Sequence, residues 1–250
     1  MATAAIIAAT AAWALAAPAA AAERTKVDLE LILMADASGS VDEDEFALQR
    51  GGTAAALTDP RIINAIKYGR LGRIALAYVE WSGPELQEII VPWTLIETAA
   101  DLAAVASRLE RTPRQLFSGG TAIGDALLYG AASIEANAFD GLRRVIDLSG
   151  DDRDIDGIPA AEARDRVVAQ GVTINGLPVL EWAYKLDEFF RDNVIGGAGA
   201  FYEPVVKFKD FQVAFRRKLI REIAGREFEA PGDPELAFRQ KKRGVGPGGR

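Results

Sequence analysis

Residues 26–36 read KVDLELILMAD. Polar and apolar residues alternate at the start, then the run becomes continuously apolar and ends on a carboxylate. A half-exposed strand alternates throughout, whereas a strand covered on both faces does not. The pattern therefore predicts a central strand of a parallel sheet with helices on either side. Ala37-Ser38-Gly39-Ser40 follows as a turn of small residues, and Val41–Leu57 has helical spacing through Phe46, Leu48 and Leu57. Ser40 and Glu43 stand at capping-box spacing, and Asp59-Pro60 closes the segment.

The same alternation of elements continues outward. Arg73–Trp81 (RIALAYVEW) reads as a second strand, and Gln87–Trp93 as a short third one ended by Pro92. The loop at Ser82-Gly83-Pro84 is short enough for a hairpin, so this pair is expected to be antiparallel. Helices are expected at Thr98–Leu109 and Ala122–Ala136, at Pro159–Gln170 with proline at its start and Gly171 after its end, at Trp182–Arg191, and at Phe208–Ala224. Buried strands are expected at Arg144–Leu148 and Val172–Leu177, and a short one near Ala200–Val206 after the turn Gly196–Gly199. That turn lacks the strand-before, helix-after setting of a dinucleotide fingerprint. The fold class is α/β: a doubly wound, mostly parallel sheet with helices on both faces and one antiparallel edge strand.

Composition removes whole classes of chemistry. The chain has no cysteine and no histidine, so disulfides, thiolate zinc sites, thiol nucleophiles and imidazole bases are excluded. Any metal must be held by oxygen, which favours Mg²⁺, with Mn²⁺ or Ca²⁺ as alternatives. Net charge is −7; residues 231–250 carry five basic and two acidic residues, a net +3, which leaves −10 for the rest. An acidic body suits cations and argues against nucleic acid.

The ends read differently from the middle. Residues 1–22 are almost all alanine around Ile6, Ile7, Trp13 and Leu15, with small residues before Glu23. This reads as a signal peptide cleaved after Ala22, although no Lys or Arg precedes it; an uncleaved anchor is the alternative. A periplasmic or secreted location follows, with no stable membrane span after cleavage. Residues 23–226 form the expected domain, and residues 227–250 a disordered, Pro/Gly-rich basic tail.

In a doubly wound sheet, ligands bind beyond the carboxyl ends of the strands. Three segments place small oxygen-bearing residues there: Asp36-Ala37-Ser38-Gly39-Ser40, Gly119-Gly120-Thr121, and Gly150-Asp151. Alone, each has a simpler explanation. Ser40 suits a helix N-cap, the glycine pair a loop, and Asp36 a strand-end turn. Together, in this order, they resemble the von Willebrand factor A-like domains. The match is to the Asp-x-Ser-x-Ser motif of that family's metal-ion-dependent adhesion site, with a later Thr and a later Asp. SGGTAIGDAL, VIDLSGDD and VIGGAGAF look like an uncharacterised secreted bacterial branch of it. Where the family's third motif reads Thr-Asp-Gly, this chain reads Gly150-Asp151-Asp152. Asp151 or Asp152 then faces the metal, and Asp151 is the assignment because it directly follows Gly150.

The resemblance implies a metal held by Ser38, Ser40 and Thr121, with Asp36 and Asp151 behind them, reaching it through water. It also implies a protein partner that offers an Asp or Glu carboxylate to the open position. The rival class is a metal-dependent hydrolase or phosphotransferase at the same crevice, but the second Asp expected of an aspartyl phosphotransferase is replaced by Ser38. Asp42, Glu43, Asp44 and Glu45 are expected to be a solvated first helical turn favoured by the helix dipole. Asp152, Asp154 and Asp156 are expected to be a solvated loop, with a second cation site as the alternative. Asp125 fits a surface role or one behind the site, and Trp81, Trp93 and Trp182 fit core or rim. We predict that N-terminal sequencing of the protein from its native host starts near Glu23. A cytosolic protein starting at Met1 would rule out export.

Overall fold

In a computed structural model, residues 23–225 are described; the expected leader and basic tail lie outside them. A five-stranded sheet has the order β4-β3-β2-β6-β7, built from β2 (Glu30–Asp36), β3 (Ile74–Trp81), β4 (Gln87–Ile96), β6 (Arg144–Gly150) and β7 (Thr173–Pro178). All pairs are parallel except β3 with β4. The first part of the expected strand is separate: β1 (Thr25–Val27) pairs in parallel with β5 (Phe139–Gly141) as a small second sheet.

Every residue of β2 is buried, and the period of two sorts its side chains between two cores. Leu31, Leu33 and Ala35 join one core, formed with α1 (Glu43–Leu57), α2 (Pro60–Tyr68), α3 (Ala99–Arg111) and α7 (Phe211–Ala224). Ile32 and Met34 join the other, formed with α4 (Ile123–Ala136), α5 (Ala160–Ala169) and Phe190. Phe190 opens a single π-helical turn, Phe190–Val194, that continues the short α6 (Leu186–Phe189). Where a continuous helix was expected from Trp182, the first turn is irregular, and Lys185 has a left-handed φ of 59°.

Three further departures have local causes. Asp59-Pro60 does not only end α1. It also starts α2, where the Asp59 carboxylate accepts from Arg61 N and Pro60 occupies the first turn. Proline lacks only a hydrogen that the first turn leaves unused. The third strand of the sheet runs through Pro92 to Ile96, because β4 is an edge strand and its pairing with β3 is shifted beside the proline. Residues 200–206 make only single bridges, Tyr202 to Gly176 and Val205 to Val179.

One buried cluster was invisible in the apolar pattern. Lys218 of α7 is fully buried and pairs with Asp147 of β6 and with Glu222 Oε1 at 2.5 Å. Asn175 of β7 also donates to Glu222, at 2.9 Å, and Arg143 donates to the Glu222 and Ile223 carbonyls at 2.7 Å. Burial, assisted by Asp147, pushes the Glu222 carboxyl up to about 8, although Lys218 pulls it back.

This cluster gives a stability–pH prediction. The native protein keeps a proton that the unfolded chain, near 4.5, releases. The resulting stabilisation is complete below that pH and is lost as pH rises through about 8. Urea unfolding of the parent should therefore weaken from pH 6 to pH 9, and Glu222→Gln should flatten that decline. Equal slopes for the two proteins would show that Glu222 is not the titrating group.

Candidate functional site

The order β4-β3-β2-β6-β7 reverses direction between β2 and β6. The chain leaves β2 toward β3 on one side and later returns to β6 on the other. Turns leaving the carboxyl ends of β2 and β6 therefore diverge and open a crevice between them. Asp36 ends one strand and Gly150 ends the other. A side chain on Gly150 would put its Cβ 3.3 Å from Asp36 Oδ2, closer than most Cβ contacts.

Four of the five residues singled out from the sequence form one hydrogen-bonded chain. Ser38 N donates to Asp36 Oδ1 at 2.8 Å, the Ser38 and Ser40 hydroxyls lie 3.0 Å apart, and Ser40 Oγ donates to Asp151 Oδ1 at 2.7 Å. Asp151, not Asp152, turns inward: Asp151 is buried, while Asp152 is half-buried and accepts from Arg153 N at 2.7 Å. The fifth residue, Thr121, is buried on a loop that meets the turn after Asp36. Its loop is fixed by Gly39 N to Gly119 O at 3.2 Å and by Ala122 N to Ser82 O at 2.9 Å. No hydrogen bond among the described residues joins the Thr121 hydroxyl to the other four. Gly119 is required in this loop, since its φ of +120° suits glycine and an added Cβ would lie 2.7 Å from Ser82 Oγ.

Behind this chain stands a polar layer that the sequence pattern did not reveal. Gln49 Nε2 donates to the Asp36 carbonyl at 2.8 Å, and Ala37 N donates to Trp81 O at 2.8 Å. Arg114, buried in the loop before α4, reaches the carbonyls of Ala37 at 3.1 Å and Ser38 at 3.3 Å. Arg50 of α1 pairs with Glu80 of β3, and both are buried. The signal for this pair was a carboxylate inside IALAYVEW, which has no other charged residue. A charge there needs a buried partner.

Electrostatically the front of the site is short of positive charge. Burial first, then the Asp151 carboxylate, pushes the Asp36 carboxyl up to about 7; the bond from Ser38 pulls it back. Asp151 is raised as well, by burial and by the nearby charges of Glu45 and Asp152. Neither makes an ion pair among the described residues. Asp36 Oδ2 is buried with no hydrogen-bond partner. An oxygen-seeking dication suits this donor set, because a hydroxyl that gives its proton to a carboxylate keeps its lone pairs free. No group of three or more carboxylates among the described residues is placed to hold an ion alone, so hydroxyls would have to contribute.

The surrounding acids take other roles. The capping box belongs to Asp42 and Glu45, with bonds of 2.8 and 3.0 Å, instead of Ser40 and Glu43. Ser40 is thereby left to Asp151. Asp154 is not a solvated loop residue: it accepts from Ile123 N at 3.0 Å and Ala160 N at 2.7 Å, at the starts of α4 and α5. Asp125 accepts from Ile158 N at 2.8 Å. Trp81 is core, Trp93 donates to Ser133 at 2.9 Å, and Trp182 is an exposed rim residue.

Residues 26–227 match the family model described as "Protein of unknown function (DUF1194)". The chain belongs to this family. Solved structures share the fold of this DUF1194 chain, among them a von Willebrand factor type A structure from Catenulispora acidiphila. Proximal thread matrix protein 1 from the mussel byssus is 15% identical, with a TM-score of 0.61 over 81% of this chain and 50% of that one. A second structure of that protein has a zinc-occupied MIDAS motif and a TM-score of 0.59, again at 15% identity over 81% and 50%. The pilus adhesin SpaC of Lactobacillus rhamnosus GG is 16% identical, with a TM-score of 0.57 over 81% and 31%. This DUF1194 chain thus spans half or less of the length of these proteins. No curated protein matches its sequence.

The position of Asp154 yields a prediction. Asp154→Ala removes an acceptor shared by two helix starts and should lower stability by about 1–2 kcal/mol in urea unfolding. Asp152→Asn, on the same loop, should leave it within about 0.5 kcal/mol. Equal effects would mean that the capping bonds contribute nothing.

Proposed function

We propose that this protein is an exported, divalent-metal-dependent protein-interaction module. Ser38, Ser40 and Thr121 hold Mg²⁺, Asp36 and Asp151 balance its charge from behind, and an Asp or Glu of a partner protein fills the open position. The observation that carries this reading is the buried Asp36 carboxylate, whose Oδ2 has no partner while its Oδ1 accepts from Ser38 N, with the Ser38 and Ser40 hydroxyls leading on to a second carboxylate and no ion pair on either among the described residues. Burying such a pair without compensation is costly, and a dication supplies it.

The structural relatives support a binding role: one is a byssal matrix protein, in which a MIDAS motif holds zinc, and another is a pilus adhesin. Mn²⁺ and Ca²⁺ are the alternatives to Mg²⁺. A periplasmic or secreted location fits the alanine-rich first 22 residues. Among the described residues no helix is long and apolar enough to cross a membrane. The rival reading as a hydrolase or phosphotransferase has no observation in its favour.

Thermal unfolding with and without metal tests the site. Mg²⁺ at 100 times its dissociation constant should add about 2.7 kcal/mol of stability. Asp36→Ala and Thr121→Ala should abolish that gain while keeping the circular dichroism spectrum, and Asp152→Asn should keep it. If the first two variants respond to Mg²⁺ like the parent, the ion binds elsewhere and the proposed function fails.

A further inference from the structure

Large apolar side chains are exposed on the loops around the candidate metal site. Phe117, Ile155, Trp182 and Tyr184 are 66%, 65%, 75% and 80% exposed. All four stand on loops at the carboxyl end of the sheet, and each is tied to the site by a specific contact. Ile155 N donates to the Thr121 carbonyl at 3.0 Å. Trp182 Nε1 donates to Glu45 at 2.8 Å, and Glu45 caps the helix that follows Ser40. Phe117 lies 5.8 Å from the guanidinium of Arg114, which itself holds Ala37 and Ser38. The Tyr184 carbonyl accepts from Arg153 at 2.8 Å, two residues from Asp151. Solvated faces do not normally gather aromatic residues, and interface centres do.

Charge defines the remainder of the surface. A dication would be balanced by Asp36 and Asp151 alone. Glu45 and Asp152 add further negative charge facing Asp151, and Asp42, Glu43 and Asp44 are exposed at the same helix start. Of the cations on these loops, Lys185 is paired with Glu188 at 3.2 Å, Arg114 is buried, and the exposed Arg153 is turned to the Tyr184 carbonyl and the Phe189 ring, so it offsets only one of these acids. A partner bringing a bare carboxylate would therefore meet surplus negative charge.

Resting on the metal-site reading above, we infer that the partner is an exposed protein segment with three features. Its acidic residue reaches the ion, a bulky apolar residue beside it packs on the collar of Trp182, Tyr184, Phe117 and Ile155, and a Lys or Arg further out meets Glu45 and Asp152. The collar and the outer acids set specificity, and the ion supplies only the anchor.

A phage-displayed peptide library with a fixed central Asp and random flanks tests this. The full protein is panned in Mg²⁺, and bound phage are eluted with EDTA. Eluted sequences should be enriched in aromatic or branched apolar residues next to the Asp and in Lys or Arg beyond them. A resynthesised peptide should lose about tenfold in affinity against Trp182→Ser or Tyr184→Ser, and a few-fold against Glu45→Gln with Asp152→Asn. These substitutions are at exposed or half-exposed positions, and each variant should keep the Mg²⁺-induced thermal shift, which shows that the fold and the ion site are intact. An EDTA-eluted pool without these biases, an unchanged affinity in the variants, or no eluted binder overturns the collar. The Mg²⁺ shift, measured separately, decides whether the metal reading stands. Binding that survives EDTA in a protein without that shift overturns the metal reading instead.

Discussion

A carboxylate at the end of a strand buried on both faces is the constraint around which this protein is arranged. The apolar run Leu31–Ala35 fixes β2 in the middle of the sheet, and Asp36 is the first residue that could escape it. It does not escape. Its carbonyl is taken by Gln49, and one carboxylate oxygen is taken by the turn it initiates. Gly150 on the adjacent strand leaves just enough room for the other. The DASGS turn, the start of α1 and the end of β6 are thus locked to one another. An isolated strand end would instead leave the aspartate in water at its ordinary pKa.

Comparison with the other buried charges shows why this one is different. Glu80 is buried but has Arg50, and Asp147 and Glu222 are buried but share Lys218. Arg50–Glu80 joins α1 to β3 and Lys218–Asp147 joins α7 to β6, while Glu222 meets Lys218 within α7. Buried pairs of this kind add little net stability over an apolar substitute, but losing one partner costs about 3–5 kcal/mol. They therefore specify how the helices seat on the sheet. Asp36 and Asp151 have the same burial and no such cation among the described residues. Glu30 is also buried without a cation among the described residues, but Asn137 and Gly141 N donate to its two oxygens; at the crevice created by the reversal of strand order, one oxygen of Asp36 is left without a partner.

The division of labour between scaffold and loops follows from the same geometry. Strands and helices spend their apolar side chains on the two cores, leaving large exposed apolar residues sparse on the helices. The loops at the carboxyl end of the sheet bury little of their own, yet they carry aromatic side chains outward and hold their backbones by capping bonds from Asp42, Asp125 and Asp154. Acidic residues there are mostly structural donors' partners, which is why acidity by itself does not mark a cation site. Hydroxyls bonded to a buried carboxylate set the proposed site apart from these acids.

The sequence by itself determined the layer order of the fold and the elements that meet at the crevice. Period-two and continuously apolar runs report burial on one or two faces, and strand–turn–helix units allow only right-handed crossovers. The DASGS, Gly119-Gly120-Thr121 and Gly150-Asp151 turns were legible for the same reason: small residues with oxygen atoms at strand and helix ends have few other uses in combination. Reading proline as a terminator hid α2 and shortened β4, since whether a proline starts, ends or sits harmlessly in an element depends on which backbone hydrogens need partners. Only the tertiary structure decided that Asp42 caps α1 and so leaves Ser40 to Asp151, that Asp154 holds two helices, and that Arg50, Arg114 and Lys218 lie inside. Those outcomes depend on contacts between residues tens of positions apart, and a charged residue carries no local sign of whether its partner is water or a distant side chain.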